Sequence, residues 1–169
     1  MILYALQAKD NCGKSTTLKR LLLKFLQEGR AITPVDKVAL AKELEEEKRA
    51  EMSGAEYETA DCIAIADVRG VRVGVASDGS TPEITMDALQ AFEEGGCDVG
   101  FCAVRSKGAV QAFLERFART NTVYKIEKAV LLNAEYFPEA KEYTENLNNW
   151  QAESLYAYFK SEAENFKRR

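Results

Sequence analysis

Residues 2–29 read ILYALQAKDNCGKSTTLKRLLLKFLQEG and comprise an apolar run, a short polar loop and a stretch with helical periodicity. The apolar run over 2–7 predicts a buried strand. Over 14–28, large apolar residues recur every three or four positions, which predicts an amphipathic helix. Gly29 stands where a glycine commonly ends a helix. A strand followed by a glycine-containing loop and a helix is the first unit of an α/β fold.

The rest of the chain continues this alternation of helices and strands. Helical patterns cover 36–52, about 83–94, about 108–119 and 138–167, the last as one long helix or a pair, and strand patterns cover 62–66, 71–76, 99–104 and part of 122–132. The two runs on either side of Val68-Arg69-Gly70 predict a β-hairpin. We therefore expect a single domain over 1–169, an α/β protein built as a three-layer α/β/α sandwich. Its sheet should be mostly parallel with one antiparallel hairpin.

The composition limits the classes of partner. Hydrophobic residues make up 46% of the chain and charged residues 30%, as in ordinary globular proteins. The net charge of -4 does not suggest binding to nucleic acid, which favours basic surfaces. The apolar runs are too short to cross a bilayer, and the residues after Met1 do not follow a secretory pattern. We expect no nucleic-acid or membrane partner and a cytoplasmic location.

The absence of histidine restricts the chemistry. The chain has no histidine, so Ser-His-Asp and Cys-His mechanisms are excluded, as is any imidazole base. The four cysteines, at positions 12, 62, 97 and 102, lack the spacing of a zinc site and are expected to be free thiols. Any reaction must then use carboxylates, lysine, arginine, hydroxyls or a bound metal.

The loop between the first strand and the first helix matches the phosphate-loop pattern Gly, four residues, Gly-Lys, Ser or Thr, with Ala8 at the first glycine. Gly13 permits a tight turn, Lys14 can reach the outer phosphates, and the Ser15 hydroxyl can bind Mg²⁺. Backbone N–H groups of residues 11–16 should form an anion-binding nest at the helix N-terminus. The residues expected to bind the phosphates are Ala8, Lys9, Asn11, Cys12, Gly13, Lys14, Ser15 and Thr16.

A carboxylate at a neighbouring strand end is expected to assist Ser15 in holding the metal. Asp78 follows the strand over 71–76, and its side chain should emerge beside the loop if the two strands run parallel. The alternative is that Asp78 only begins an Asp-Gly turn or caps the next helix. Asp67 is a weaker candidate, because a hairpin would place it at the opposite end of the sheet.

Two basic residues end the next predicted strand. Arg105 and Lys107 should reach the same edge as Lys14, where Arg105 would clamp a phosphate and Lys107 would add a further contact. A solvated strand-to-helix turn is the alternative interpretation of this segment.

The long C-terminal helical pattern also offers an apolar stripe, so a homodimer is one option for the assembly.

The loop resembles that of nucleotide kinases, especially thymidylate kinases, in the presence of Asp10 and Thr16 around Gly13-Lys14-Ser15. The leucines at 18, 21, 22 and 26 and Gly29 repeat the helix pattern of that family, and the resemblance covers about residues 2–32. The run from 71 to 108 is similar to small, mostly bacterial P-loop proteins of unassigned function. These resemblances imply a P-loop NTPase-like fold and ATP or GTP with Mg²⁺ as the ligand.

Three functions are compatible with these features. The first is a small kinase-like phosphotransferase, in which Lys14 and Arg105 stabilise the transferring phosphoryl group and Asp10 orients an unidentified small-molecule acceptor. The second is a nucleotide-binding module without catalysis, and the third is an ATPase or GTPase that depends on a partner. The sequence has no signature that distinguishes adenine from guanine.

Overall fold

The structure is a computed structural model that describes residues 1–9, 12–53, 55, 57, 60–129 and 140–166. Six strands and five helices occur in these ranges. In chain order they are β1 (Ile2–Ala8), α1 (Lys14–Glu28), β2 (Arg30–Ala31), α2 (Lys37–Ser53), β3 (Ile63–Val68), β4 (Val71–Ala76), α3 (Pro82–Glu94), β5 (Val99–Arg105), α4 (Ala109–Phe117), β6 (Thr122–Glu127) and α5 (Ala140–Phe166). The predicted α/β alternation is confirmed, and α5 is one continuous helix.

The strands form one mixed sheet in the order β2-β3-β4-β5-β1-β6. β1 pairs in parallel with β5 and β6, and β5 pairs in parallel with β4. β3 runs antiparallel to both β2 and β4, so the predicted hairpin is confirmed. Consequently β1, β4, β5 and β6 all end at one edge of the sheet, here called the carboxyl edge, whereas β3 begins there.

The side chains of β1 show how the sheet separates two helical layers. Ile2, Tyr4 and Leu6 pack with α1, α2 and α5 on one face, whereas Leu3 and Ala5 pack with α3 and α4 on the other. This alternation follows from the two-residue repeat of a strand. The five helices therefore cover both faces, which gives the expected three layers.

Two local features complete the comparison with the sequence. Gly74 lets α3 approach the sheet closely, because a Cβ at this position would overlap the ring of Phe92 on that helix. The two-residue strand Arg30–Ala31 was not predicted, because so short a segment carries no periodicity. Among the described helices, none combines the length and apolar composition that a bilayer crossing requires.

Candidate functional site

Gly13 forms a left-handed turn between β1 and α1. Gly13 precedes the helix with φ 73° and ψ 22°, in the left-handed region that favours glycine. Its carbonyl accepts the N–H of Thr17 at 3.0 Å, the first bond of the helical pattern. Gly13 has no side chain that could cap the first turn, so the first N–H groups of α1 have no side-chain cap there. Because α1 follows the end of β1, the positive end of its dipole lies at the carboxyl edge.

Lys14 folds back over this turn. Its Nζ donates to the carbonyl oxygen of Lys9 at 2.6 Å and to that of Ala8 at 3.4 Å. The Ala8 carbonyl also accepts the N–H of Ser106, at 3.1 Å, which joins the loop to the end of β5. The ammonium group thus lies at the point where β1 and β5 end, within reach of a ligand at the carboxyl edge.

The Ser15 hydroxyl is bonded to a carboxylate that sequence reasoning missed. Ser15 Oγ donates to Asp61 Oδ1 at 3.1 Å, and Ser77 Oγ donates to the same oxygen at 3.2 Å. The N–H of Cys62 in turn donates to Ser77 Oγ at 2.8 Å. Asp61 precedes β3 and lies at the carboxyl edge because β3 is antiparallel. The predicted hairpin already carried this signal, since an antiparallel strand begins where its neighbours end.

Asp78 and Asp67 take different positions. Asp78 Oδ1 accepts the N–H groups of Gly79 at 2.7 Å and Ser80 at 2.9 Å, and its Oδ2 accepts Ser80 Oγ at 3.2 Å. The carboxylate of Asp78 therefore bonds its own turn, which agrees with the alternative interpretation that Asp78 begins an Asp-Gly turn. Asp78 also lines a cavity at the carboxyl edge. Asp67 accepts the N–H of Gly70 in the hairpin turn, at the opposite end of the sheet as expected.

Helix α2 contributes an acidic side chain from a segment rich in glutamate. Thr16 Oγ1 donates to Glu47 Oε1 at 2.5 Å. One turn away, Glu43 Oε1 lies 2.7 Å from the ammonium of Lys19, whose side chain is only 1% exposed. Glu43 and Glu47 are four residues apart and both face α1.

A cavity of about 680 Å³ opens at the carboxyl edge beside the loop. Its described lining comprises Cys12, Gly13, Lys14, Ser15, Thr16, Glu47, Asp61, Ser77, Asp78, Gly79, Ser80, Ala103 and Arg105. The structure thus brings most of the predicted site residues together. Lys9 and Lys107 are exposed and lie outside this lining, as does Ala8, which is buried at the end of β1. The predicted site residues Asp10 and Asn11 lie outside the described residues.

Lys128 lies buried at the end of β6, next to the loop. It is 5% exposed, its Nζ donates to the carbonyl of Ala129 at 2.6 Å, and its N–H donates to the carbonyl of Gln7 at 2.9 Å. Burial lowers the pKa of its ammonium group to about 8, and the coulombic interaction with nearby Cys12 partly opposes this change. A lysine after a strand is normally solvated, so no sequence signal distinguished this one.

The described cysteines are free thiols, as expected. Burial raises the pKa of Cys62, that of Cys97 to about 11 and that of Cys102 to about 12, which disfavours the reactive thiolate form. Within the described ranges, no three cysteine or carboxylate side chains are grouped closely enough to hold a metal ion without further ligands.

The comparisons with known proteins give no match: no family model, no curated protein and no solved structure is significantly similar to this chain. Function must therefore be inferred from the geometry of the carboxyl edge.

Proposed function

We propose that this chain is a P-loop protein that binds the triphosphate of ATP or GTP, together with Mg²⁺, in the cavity at the carboxyl edge. One observation carries the proposal. The left-handed Gly13 turn directs the N-terminus of α1 toward a cavity that Lys14 and Ser15 also line. Backbone amides, a helix dipole and an ammonium group together form a site that favours a multiply charged anion.

Lys14 is placed to exchange its loop contacts for phosphate contacts. Its ammonium bonds the carbonyl oxygens of Lys9 and Ala8, both on the side where the loop leaves β1. A phosphate oxygen is a stronger acceptor for a charged donor than a neutral carbonyl. Arg105, across the cavity at the end of β5, would supply a second cation to the bound phosphates.

The oxygen groups beside Ser15 fit a magnesium ion that is also bound by phosphates. Mg²⁺ prefers hard oxygen ligands, and it commonly uses one or two protein groups while phosphates and water complete its shell. The Ser15 hydroxyl and the Asp61 carboxylate are already adjacent, at 3.1 Å. We assign these two residues to the metal and keep Asp78 as the second carboxylate of the site.

The reaction proposed first is kinase-like transfer of a phosphoryl group to a small polar acceptor. Lys14 and Arg105 would stabilise the charge that develops on the phosphoryl group. The part of the cavity wall that follows β4, from Ser77 to Ser80, offers hydroxyl groups that suit a polar acceptor. Asp10 keeps its predicted role of orienting that acceptor.

A nucleotide-binding module without turnover is the second candidate, and the bonding of the carboxylates favours it. Each described carboxylate of the cavity already accepts a hydrogen bond: Glu47 from Thr16 through Oε1, Asp61 from two serines through Oδ1, and Asp78 from its own turn through both oxygens. A general base needs an oxygen that can reach the acceptor proton. A partner that supplies such a group would instead give a partner-dependent ATPase or GTPase.

Calorimetric titration with ATP and GTP, with and without Mg²⁺, tests the binding proposal. We expect Lys14→Ala to weaken triphosphate binding by about 10-fold or more, the loss typical of a charge-assisted hydrogen bond. Lys125→Ala is the matched control, because Lys125 is an exposed lysine in the middle of β6. No binding by the wild type, or equal binding by the wild type and Lys14→Ala, would refute the proposal.

The metal assignment and the reaction need separate measurements. Asp61→Asn should reduce the gain in affinity that Mg²⁺ provides more than Asp78→Asn does, because only Asp61 bonds Ser15. Phosphate release and acceptor labelling should then be followed with the tighter-binding nucleotide. Transfer to an acceptor supports the kinase, whereas binding without turnover supports the module.

A further inference from the structure

Helix α5 places a fully buried amide directly behind the phosphate loop. Asn148 is 0% exposed, and a Cβ added to Gly13 would lie 2.5 Å from its Oδ1 and 2.8 Å from its Nδ2. The neighbouring Asn146 and Asn149 are exposed. The Asn148 amide therefore packs against the residue that forms the left-handed turn of the loop.

The hydrogen bonding of this amide is incomplete. Oδ1 accepts Thr17 Oγ1 at 3.5 Å, which is long for a hydroxyl donor. Nδ2 has no hydrogen-bond partner among the described residues, although it is buried. A buried N–H group without a partner is destabilising and rare in native proteins, so its retention requires an explanation.

The residues one turn to either side of Asn148 fasten α5 to the elements around the loop. Glu145 forms an ion pair with Arg20 of α1. The side-chain amide of Gln151 donates to the carbonyl of Glu127 at 2.9 Å and accepts the N–H of Ala129 at 3.1 Å. Asn148 lies between these two attachments, so α5 is fixed to α1 and to the end of β6 while its central amide contacts the loop.

We propose that Asn148 is a positioning residue of the phosphate loop, an inference that rests on the proposed nucleotide binding. Its amide supports the Gly13 turn from the buried side, and its Nδ2 donates to a backbone carbonyl of this turn only when a phosphate is bound. The hydrogen bond then exists in the bound state but not in the free state. Its free energy contributes to nucleotide affinity rather than to the stability of the free protein.

Substitutions at this position separate the two effects. Asn148→Ala should leave the Tm of the free protein within about 3 °C of the wild type, because the lost contacts are offset by removal of an unpartnered donor. The same variant should bind the magnesium complex of ATP or GTP about 10-fold more weakly, the loss expected for one buried hydrogen bond. Asn149→Ala, the exposed neighbour, should change neither value.

Asn148→Asp provides a second variant of nearly the same size. Its carboxylate would lie behind the N-terminus of α1, where the dipole stabilises a negative charge in the free protein. The same charge repels the incoming phosphates, so this variant should bind nucleotide more weakly than Asn148→Ala. Equal nucleotide binding by Asn148→Asp and the wild type would contradict the inference even if Asn148→Ala does not fold.

The outcomes distinguish this inference from the proposed function. If the wild type and either variant bind the nucleotide equally well, Asn148 has no role in positioning the loop, while nucleotide binding stands. If Asn148→Ala and Asn148→Asp both lose stability and affinity together, the residue serves only the fold and the inference is overturned. If the wild type binds neither nucleotide, the proposed function fails and the inference fails with it.

Discussion

Replacing Gly13 by alanine tests the contact between the turn before α1 and helix α5 without any ligand. The backbone at Gly13 has φ 73°, and the new Cβ would lie 2.5, 2.8 and 2.9 Å from Oδ1, Nδ2 and Cγ of Asn148. All three distances are shorter than real Cβ contacts allow. Asn148 is short and fully buried, so its side chain cannot move aside without disturbing the packing of α5.

The expected destabilisation has two parts. Alanine in a left-handed conformation costs about 1–2 kcal/mol relative to glycine. Forcing a methyl group into a packed contact typically adds about 1–3 kcal/mol. Gly13→Ala should therefore lower the free energy of unfolding by about 2–5 kcal/mol. In the Asn148→Ala background the contact is absent, and only the backbone part of about 1–2 kcal/mol should remain.

Urea unfolding, followed by circular dichroism, measures this difference as a double-mutant cycle. The coupling between Gly13→Ala and Asn148→Ala should be about 1–3 kcal/mol. Gly108→Ala is the matched control, because Gly108 also has a positive φ of 88° but a Cβ there would meet nothing within 4 Å. Its effect should be additive with Asn148→Ala. Additivity of the Gly13 pair within about 0.5 kcal/mol would refute the packing described for the loop.

Three further substitutions test the packing and electrostatics around the site. The Lys128 pKa is lowered from 10.5 to about 8 by burial, so the unfolded chain binds this proton more tightly, and stability should rise with pH between these two values. Lys128→Met should abolish this rise, measured as Tm against pH, and should increase the free energy of unfolding by up to about 3 kcal/mol at pH 7. An unchanged pH profile of Tm would contradict the burial of the charge. Gly74→Val should lower the free energy of urea unfolding by about 3 kcal/mol or more, because its side chain would occupy the space of the Phe92 ring; a near-neutral result would contradict that packing. Glu43→Ala leaves the buried Lys19 ammonium without its partner at 2.7 Å and should lower the free energy of unfolding by about 2 kcal/mol in the same assay. The loss should be smaller than for a fully buried pair, because Glu43 is partly exposed. A loss below about 0.5 kcal/mol would show that the pair does not stabilise the fold.

The glutamate-rich part of α2 shows where sequence interpretation reached its limit. The sequence predicts a solvated face for Glu45–Glu47, and Glu45 is indeed exposed. That prediction is wrong for Glu47, which bonds Thr16 and lines the cavity. Helical periodicity identifies residues that share a face, but α2 has only a modest apolar stripe. The direction in which it faces is therefore set by its packing against α1.

The same limit applies to the carboxylate that the sequence predicts for the metal. The sequence favours Asp78, since it follows a strand that was expected to run parallel to β1, and that strand direction is confirmed. The end of β4 does reach the carboxyl edge, but both carboxylate oxygens of Asp78 accept hydrogen bonds from Gly79 and Ser80 of the same turn. Asp61 bonds Ser15 instead, because the antiparallel β3 begins at that edge. Nucleotide binding, the identity of the base and the acceptor remain predictions.

The sequence by itself determined the features that depend on neighbouring residues. The periodicity of α1, the apolar run of β1, the hairpin and the glycine turn before Lys14 are all consequences of local backbone preferences, and each occurs where the sequence predicts it. The tertiary structure alone decided which distant side chains meet the loop. Glu47 bonds Thr16 across 31 positions, Asp61 bonds Ser15 across 46, and Asn148 meets Thr17 across 131. Such contacts depend on strand order and helix packing, which are set by the burial of the whole core rather than by any short segment.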